Sequence, residues 1–196
     1  MRKIPPALEN PLDDMFISVA DAMAPTLKKL GHTPNVITTY SALSAIMSLV
    51  ALNAGNVGAF AALWMMHVLF DCTDGHFARA YGMQSRFGDV YDHVTDFGSL
   101  VGLAYVVHKR YDMAKVHPAF WVAGAVFFVM TIIQLGCQQR YARIKAETLS
   151  VFRPTCPDVG WMHFTRWFSH GSVHVFMILS IAYFERHYRR TPPAAV

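Results

Sequence analysis

Most of the apolar residues of this chain lie in separate runs of about 20 residues, the length that an α-helix needs to cross the hydrocarbon core of a bilayer. Only 15% of the 196 residues are charged and 54% are hydrophobic, whereas about a quarter of a soluble domain is charged. The sequence therefore predicts an all-α polytopic membrane helix bundle. We expect this bundle to be a single domain at residues 1–188, followed by a disordered tail at 189–196.

Five apolar runs are clear candidates for membrane spans. They lie at about 35–52, from 59 into an acidic stretch that begins at 71, from 88 to about 110, at 118–137 and at 173–184. A helix is also predicted at 12–30, where apolar and acidic side chains occupy opposite faces, and we expect it to lie in the membrane interface. The aromatic segment DVGWMHFTRWFSHG at 158–171 could be a further, degenerate span.

The net charge of +4 is carried by lysines and arginines at the ends of the apolar runs. Basic residues flank membrane helices in this way, so their distribution argues against nucleic-acid binding. It also places the N-terminus and the acidic stretch at the cytoplasmic face. The basic C-terminal sequence ERHYRR fits better on that same side, which conflicts with a count of five spans.

The cysteines, Cys72, Cys137 and Cys156, are odd in number and lack metal-ligand spacing. We expect from them neither a disulfide framework nor a zinc site. All three are expected to pack as small apolar residues.

Five of the 13 acidic residues lie between positions 71 and 96, at the junction of two predicted spans. Carboxylates inside a membrane are costly and normally face a cavity and a partner. At 100° per residue, Asp71 and Asp74 share one helix face, and Asp92 and Asp96 share a face of the next helix. If the two faces meet, bound cations or shared protons must offset the repulsion of four carboxylates. Such a cluster suits Mg²⁺ or Mn²⁺.

Residues around the aspartates suit a phosphate ligand. Two divalent cations about 4 Å apart can clamp a pyrophosphate. Gly75 and Gly88 allow a ligand to approach the backbone closely, and Arg79 is a ready partner for a phosphate. Asp89, by contrast, is expected to be a first-turn helix residue favoured by the helix dipole.

The aspartates belong to a longer pattern, which reads DxxDGxxAR at 71–79 and, after eight further residues, GxxxDxxxD at 88–96. This pattern resembles the signature of the class I CDP-alcohol phosphotransferases, because every fixed position and every gap matches. The stretch HTPNVIT at 32–38 is similar to the start of that family's first span. The remaining spans share only their hydrophobicity with the family.

The resemblance implies six spans after an interfacial helix, a homodimer, and CDP-alcohol and lipid substrates. Asp71, Asp74 and Asp92 would ligate a binuclear Mg²⁺ or Mn²⁺ site. Asp96 would ligate one ion and act as the general base toward the acceptor hydroxyl, which attacks the β-phosphorus and releases CMP. The nucleotide pocket would be lined by Gly75, Ala78, Arg79, Gly88 and Asn35.

The residue after the third motif aspartate, His93, guides the substrate prediction. It resembles the Asp-His pair of choline and ethanolamine phosphotransferases, so the expected reaction uses CDP-choline or CDP-ethanolamine and diacylglycerol. The alternative within the family is CDP-diacylglycerol with a small polar acceptor such as glycerol 3-phosphate, inositol or serine. His93 either assists Asp92 or Asp96, or only packs at a helix interface.

Two other classes of function remain open from the residues alone. Clustered intramembrane carboxylates also mark ion pathways, so a metal-ion transporter is one alternative. It predicts acids in several spans, whereas these lie at one end, beside Arg79. A catalytically inactive relative is the other alternative, although all four motif aspartates are present. An enzyme of this kind is expected to face the cytoplasm, in the endoplasmic reticulum if the host is a eukaryote.

Overall fold

The computed structural model describes residues 2–142 and 148–190, which are helical apart from loops and one isolated antiparallel bridge. The α-helices are α1 (Pro11–Lys29), α2 (Pro34–Asn53), α3 (Val57–Ala80), α4 (Arg86–Arg110), α5 (Pro118–Ala142), α6 (Met162–Thr165) and α7 (His170–His187). The prediction of an all-α bundle is confirmed.

The first helix, α1, begins at a well-formed cap. The Asn10 side chain accepts a hydrogen bond from the Leu12 backbone N–H at 2.8 Å, and Pro11 takes the first helical position, where no N–H is needed. Phe16 and Ala20 are buried on its inner face, and α1 packs against α3 and α7. The helix expected at 12–30 is therefore present to within one residue at each end.

The helices α2 and α3 are antiparallel neighbours joined by a turn at Gly55, whose φ of +88° favours glycine. The hydroxyl of Ser41 on α2 lies 2.7 Å from His67 Nδ1 on α3. Small side chains at such contacts let membrane helices approach closely. Further along, the apolar core joins α2, α3, α4 and α7 through Leu52, Trp64, Leu103 and Ile181.

Three stretches are long and apolar enough to cross a membrane: α2, α5 and Val159–His187, which contains α7. The helices α3 and α4 have 24 and 25 residues but carry the clustered aspartates. The outer face of α4 is nevertheless apolar, since Phe97 is 71% and Tyr105 66% exposed. The chain is an integral membrane helix bundle.

The segment between α5 and α7 differs from the expectation of a sixth span. Residues 148–168 pack along α5 as short 3₁₀- and α-helical turns. Pro154 and Pro157 lack the N–H groups that a continuous helix needs, and Arg140 Nη1 donates to the Cys156 carbonyl at 2.8 Å. Within the described residues, five long helices therefore follow α1.

Cys137 of α5 and Cys156 form a disulfide, so the expectation that all three cysteines are unpaired was wrong. The odd count excluded complete pairing but not one pair. Only the packing of residues 148–155 against α5 brings the two thiols together, which no spacing rule shows. Cys72 is the free cysteine.

The C-terminal ends of α4 and α7 lie side by side, at the end of the bundle away from the aspartates. The backbone N–H of Arg190 donates to the Arg110 carbonyl at 2.9 Å, and Arg189 Nη1 lies 3.2 Å from Glu185 Oε1. These two arginines fall within the tail expected at 189–196, and residues 191–196 lie outside the described residues. The chain enters α2 at the aspartate end and crosses the bundle once in each of the five long helices. It therefore leaves α7 at the opposite end, where the basic sequence ERHYRR lies.

Candidate active site

The helices α3 and α4 bring the four motif aspartates together. Asp71 and Asp74 lie in the C-terminal half of α3, and Asp92 and Asp96 in the N-terminal half of α4. Carboxylate oxygens of Asp71, Asp74 and Asp92 lie within 4.8 Å of one another. Asp96 lies one helical turn after Asp92, on the same face of α4. The two helix faces therefore meet at a single carboxylate cluster.

Two features of this cluster fit a divalent cation. Asp92 Oδ1 is buried and receives no hydrogen bond from the described part of the chain. Asp74 is only 4% exposed and accepts a hydrogen bond from the Thr38 hydroxyl of α2. Buried carboxylate oxygens with so few donors need a cation or a proton. The cluster can therefore hold a metal ion, and its hard oxygen ligands are those that Mg²⁺ or Mn²⁺ prefers.

A cavity of about 690 Å³ opens beside the cluster, between the ends of α2, α3 and α4. Asp74 and Asp92 form part of its wall, whereas Asp71 and Asp96 do not. The five residues expected around a nucleotide all line this cavity: Asn35, Gly75, Ala78, Arg79 and Gly88.

The cavity owes part of its shape to two glycines. A Cβ at Gly88 would lie 3.1 Å from both Asn35 Oδ1 and Ser85 Oγ. A Cβ at Gly75 would lie 3.3 Å from a guanidinium nitrogen of Arg79. Larger residues would therefore push these polar groups out of position, in line with the role expected for glycine at a close approach.

Asp89 and His93 lie on the cavity wall but outside the cluster. Asp89 is in the first turn of α4, as expected, and its carboxylate accepts a hydrogen bond from the Thr148 backbone N–H at 3.1 Å. The His93 Nδ1 lies 2.6 Å from the Asp89 carbonyl oxygen, one helical turn back. This contact lies within α4 and does not link His93 to a motif aspartate. The role of His93 remains a prediction.

Sequence reasoning assigned no role to two residues that contact the cluster. Thr38 lies within the HTPNVIT stretch, and that stretch could have suggested it. His170, at the first position of α7, places its Nε2 3.2 Å from Asp71 Oδ2. No spacing rule links His170 to the motif, because only the packing of α7 brings it there.

Residues 31–184 match the CDP-alcohol phosphatidyltransferase family, so the chain belongs to that family. It is 29% identical over 137 residues to a phosphatidylinositol phosphate synthase of Mycobacterium marinum, a match that covers 67% of this chain and 54% of the relative. It is 33% identical over 86 residues to a phosphatidylinositol phosphate synthase of Mycobacteroides abscessus, covering 42% of this chain and 38% of the relative. The matches thus span about half or less of these relatives. No solved structure matches the chain.

The two relatives belong to one of the two branches of the family considered above. Both relatives are named for phosphatidylinositol phosphate, and neither for choline or ethanolamine. They therefore favour the CDP-diacylglycerol alternative over the amino-alcohol branch that His93 suggested. A single residue after Asp92 is weak support for a substrate, because substrate choice depends on the shape of the whole pocket.

Proposed function

We propose that this protein transfers a phosphatidyl group from CDP-diacylglycerol to a hydroxyl of a small polar acceptor and releases CMP. The names of the two relatives make a phosphorylated inositol the first candidate for the acceptor. The observation that carries the proposal is the meeting of Asp71, Asp74 and Asp92 from α3 and α4 beside a cavity lined by Arg79 and two glycines.

The cavity is proposed to bind the cytidine diphosphate part of the donor. Arg79 would contact a phosphate oxygen, since a guanidinium donates up to two parallel hydrogen bonds to such a group. Gly75 and Gly88 would leave room for the nucleotide against the backbone, and Asn35 would offer its side-chain amide from α2. Ala78, one helical turn after Asp74, would complete the wall.

The carboxylates would hold a binuclear Mg²⁺ or Mn²⁺ site through Asp71, Asp74, Asp92 and Asp96. When bound, such ions neutralise charge on a pyrophosphate and on the departing phosphate. The buried Asp92 Oδ1, which lacks a donor in the described part of the chain, supports this assignment. Thr38 would keep Asp74 turned toward the site.

Asp96 is proposed as the general base. Its carboxylate takes the proton from the acceptor hydroxyl while the hydroxyl oxygen forms a bond to the β-phosphorus. The bond between that phosphorus and the bridging oxygen breaks, and CMP leaves with the bridging oxygen. Catalysis then depends on positioning and charge stabilisation rather than on a covalent intermediate.

The lipid part of the donor would lie along the apolar outer surface of the bundle, with the site at the cytoplasmic face of the membrane and the chain in a homodimer. The Lys and Arg bias and the family resemblance support these assignments. A metal-ion transporter is less well supported, because the acidic group lies at one end of the bundle beside a nucleotide-sized cavity.

The test is release of CMP by the purified protein in detergent with Mg²⁺ or Mn²⁺. One set of reactions supplies CDP-diacylglycerol with inositol phosphate, glycerol 3-phosphate, inositol or serine. A second set supplies CDP-choline or CDP-ethanolamine with diacylglycerol. Turnover in the first set only is expected. Turnover in the second set only would assign the protein to the amino-alcohol branch instead. No turnover in either set, with CDP binding retained, would favour an inactive relative.

A further inference from the structure

Asp71 has a partner that the other motif aspartates lack in the described residues, namely a histidine on a third helix. The His170 Nε2 lies 3.2 Å from Asp71 Oδ2. This is a close contact between an imidazole and a carboxylate, but in the present ring orientation Nε2 does not meet hydrogen-bond geometry. The Asp71 side chain is only 13% exposed, and the Cys72 thiol lies within 4.8 Å of both groups.

The start of α7 is fixed by α1, which determines where His170 lies. Asp13 Oδ1 accepts a hydrogen bond from the Gly171 backbone N–H at 2.7 Å. Asn10 Nδ2 donates to the Ser172 hydroxyl at 2.8 Å. A Cβ at Gly171 would lie 2.6 Å from Asp13 Oδ1, so glycine is needed for this close contact. The interfacial helix thus holds the backbone on which His170 stands.

A second histidine restricts the orientation of the His170 ring. The rings of His170 and His174 meet edge to face with their centres 4.4 Å apart. His174 is itself fixed, because its Nδ1 accepts a hydrogen bond from Trp64 Nε1 at 2.9 Å. The backbone of His170 is therefore held by α1 and its side chain lies against a buried ring, with Nε2 3.2 Å from Asp71 Oδ2.

We propose that His170 is a positioning residue: a small rotation of its ring lets Nε2–H donate to Asp71 Oδ2, which turns the other carboxylate oxygen toward the metal site. Donors behind metal-ligating side chains orient them in this way, and their loss typically weakens metal binding about 10- to 100-fold. The inference rests on the proposed function, since it assumes that Asp71 is a metal ligand. It adds a role for α7, which lies outside the motif.

The test compares His170→Leu, which removes the donor, with His170→Gln, whose side-chain amide can restore one. His187→Leu, at the other end of the same helix, is the matched control. Mn²⁺ binding is measured without substrate by electron paramagnetic resonance of free Mn²⁺, and the Mn²⁺ dependence of CMP release is measured in parallel. Circular dichroism and CDP binding establish that each variant is folded.

The expected result is Mn²⁺ binding about 10- to 100-fold weaker in His170→Leu, recovered in large part by His170→Gln and unchanged in His187→Leu. In the activity assay the Leu variant should need more Mn²⁺ but approach the wild-type rate at saturation. Equal Mn²⁺ binding in the wild type and the folded Leu variant would overturn the role of His170 alone. A Gln variant as weak as the Leu variant would also overturn it and indicate packing. A wild-type protein that binds no Mn²⁺ would overturn the metal site of the proposed function as well.

Discussion

The hydroxyl of Thr38 on α2 donates a hydrogen bond to the carboxylate of Asp74 on α3. The N-terminal part of α2 therefore directly supports the carboxylate cluster. Both residues are almost fully buried, with exposed fractions of 2% and 4%. Replacing Thr38 with Val keeps the shape but removes the donor. We expect Mn²⁺ affinity and kcat/KM to fall about tenfold or more, because an unsupported ligand loses its orientation.

Thr38→Ser is the matched control for this prediction, since it keeps the hydroxyl. Mn²⁺ titrations of CMP release for both variants, with thermal unfolding as a check on folding, would measure the effect. Similar Mn²⁺ dependence in the Val and Ser variants would show that the hydrogen bond does not support the site.

Gly88 should tolerate no side chain if the cavity binds a nucleotide. A Cβ there meets Asn35 Oδ1 and Ser85 Oγ at 3.1 Å, whereas a Cβ at Gly98 on the same helix meets nothing within 4 Å. Gly88→Ala is expected to raise the KM for the CDP-linked donor about tenfold, while Gly98→Ala leaves it unchanged. Equal kinetics of the two variants, measured as CMP release against donor concentration, would contradict the assigned nucleotide cavity.

Glu9, just before α1, makes the stability of the N-terminal region depend on pH. Burial and the neighbouring charges of Asp13 and Asp14 raise the pKa of Glu9 to about 7, against the opposing effect of Arg2 and Arg79. Since the pKa is higher in the folded state, this carboxyl stabilises the fold fully below about pH 4.5 and loses that contribution as pH rises through 7.

Glu9→Gln removes this titration and should leave stability at acidic pH nearly unchanged. At pH 8 it should stabilise the protein relative to the wild type by up to about 3 kcal/mol. Thermal unfolding of both proteins in detergent between pH 5 and pH 8 tests this. A difference between the two melting temperatures that does not grow with pH would contradict the assignment.

The disulfide between Cys137 and Cys156 closes a loop across 19 positions of sequence. Constraint of the unfolded chain by a loop of this size contributes about 3 kcal/mol. Replacing both cysteines with Ala should lower the melting temperature but preserve metal-dependent CMP release, because neither residue lines the cavity.

Mass spectrometry after alkylation supplies a direct check on this pairing. The unreduced, denatured protein should take up label only at Cys72, and reduction should expose all three thiols. Label on Cys137 before reduction would contradict the pairing.

The main features of the site follow from the sequence because helix geometry is regular. Asp92 and Asp96 are one turn apart, so their common face is fixed once α4 is known to be a helix. The spacing of Asp71 and Asp74 fixes the corresponding face of α3 in the same way. Apolar runs likewise predict the long helices, since length and composition decide whether a segment can span a bilayer.

Features that depend on contacts distant in sequence were not predictable. His170 reaches Asp71 only because α1 holds the start of α7, and Cys156 reaches Cys137 only because residues 148–155 pack on α5. The names of the relatives do not support the substrate prediction from His93, for a related reason. A pocket selects its ligand by its whole shape, and one side chain on its wall carries little of that information.

The central claim is that the carboxylate cluster performs phosphoryl transfer with Asp96 as the base. It is tested most directly by CMP release from CDP-diacylglycerol at saturating Mn²⁺, comparing the wild type with Asp96→Asn and with Asp112→Asn, a control at the far end of the bundle. Loss of a general base typically costs 10²- to 10⁴-fold. We predict at least a hundredfold loss of kcat in Asp96→Asn, normal activity in Asp112→Asn, and no activity when the metal is chelated. Asp96→Asn activity within tenfold of the wild type, or turnover without metal, would contradict the account.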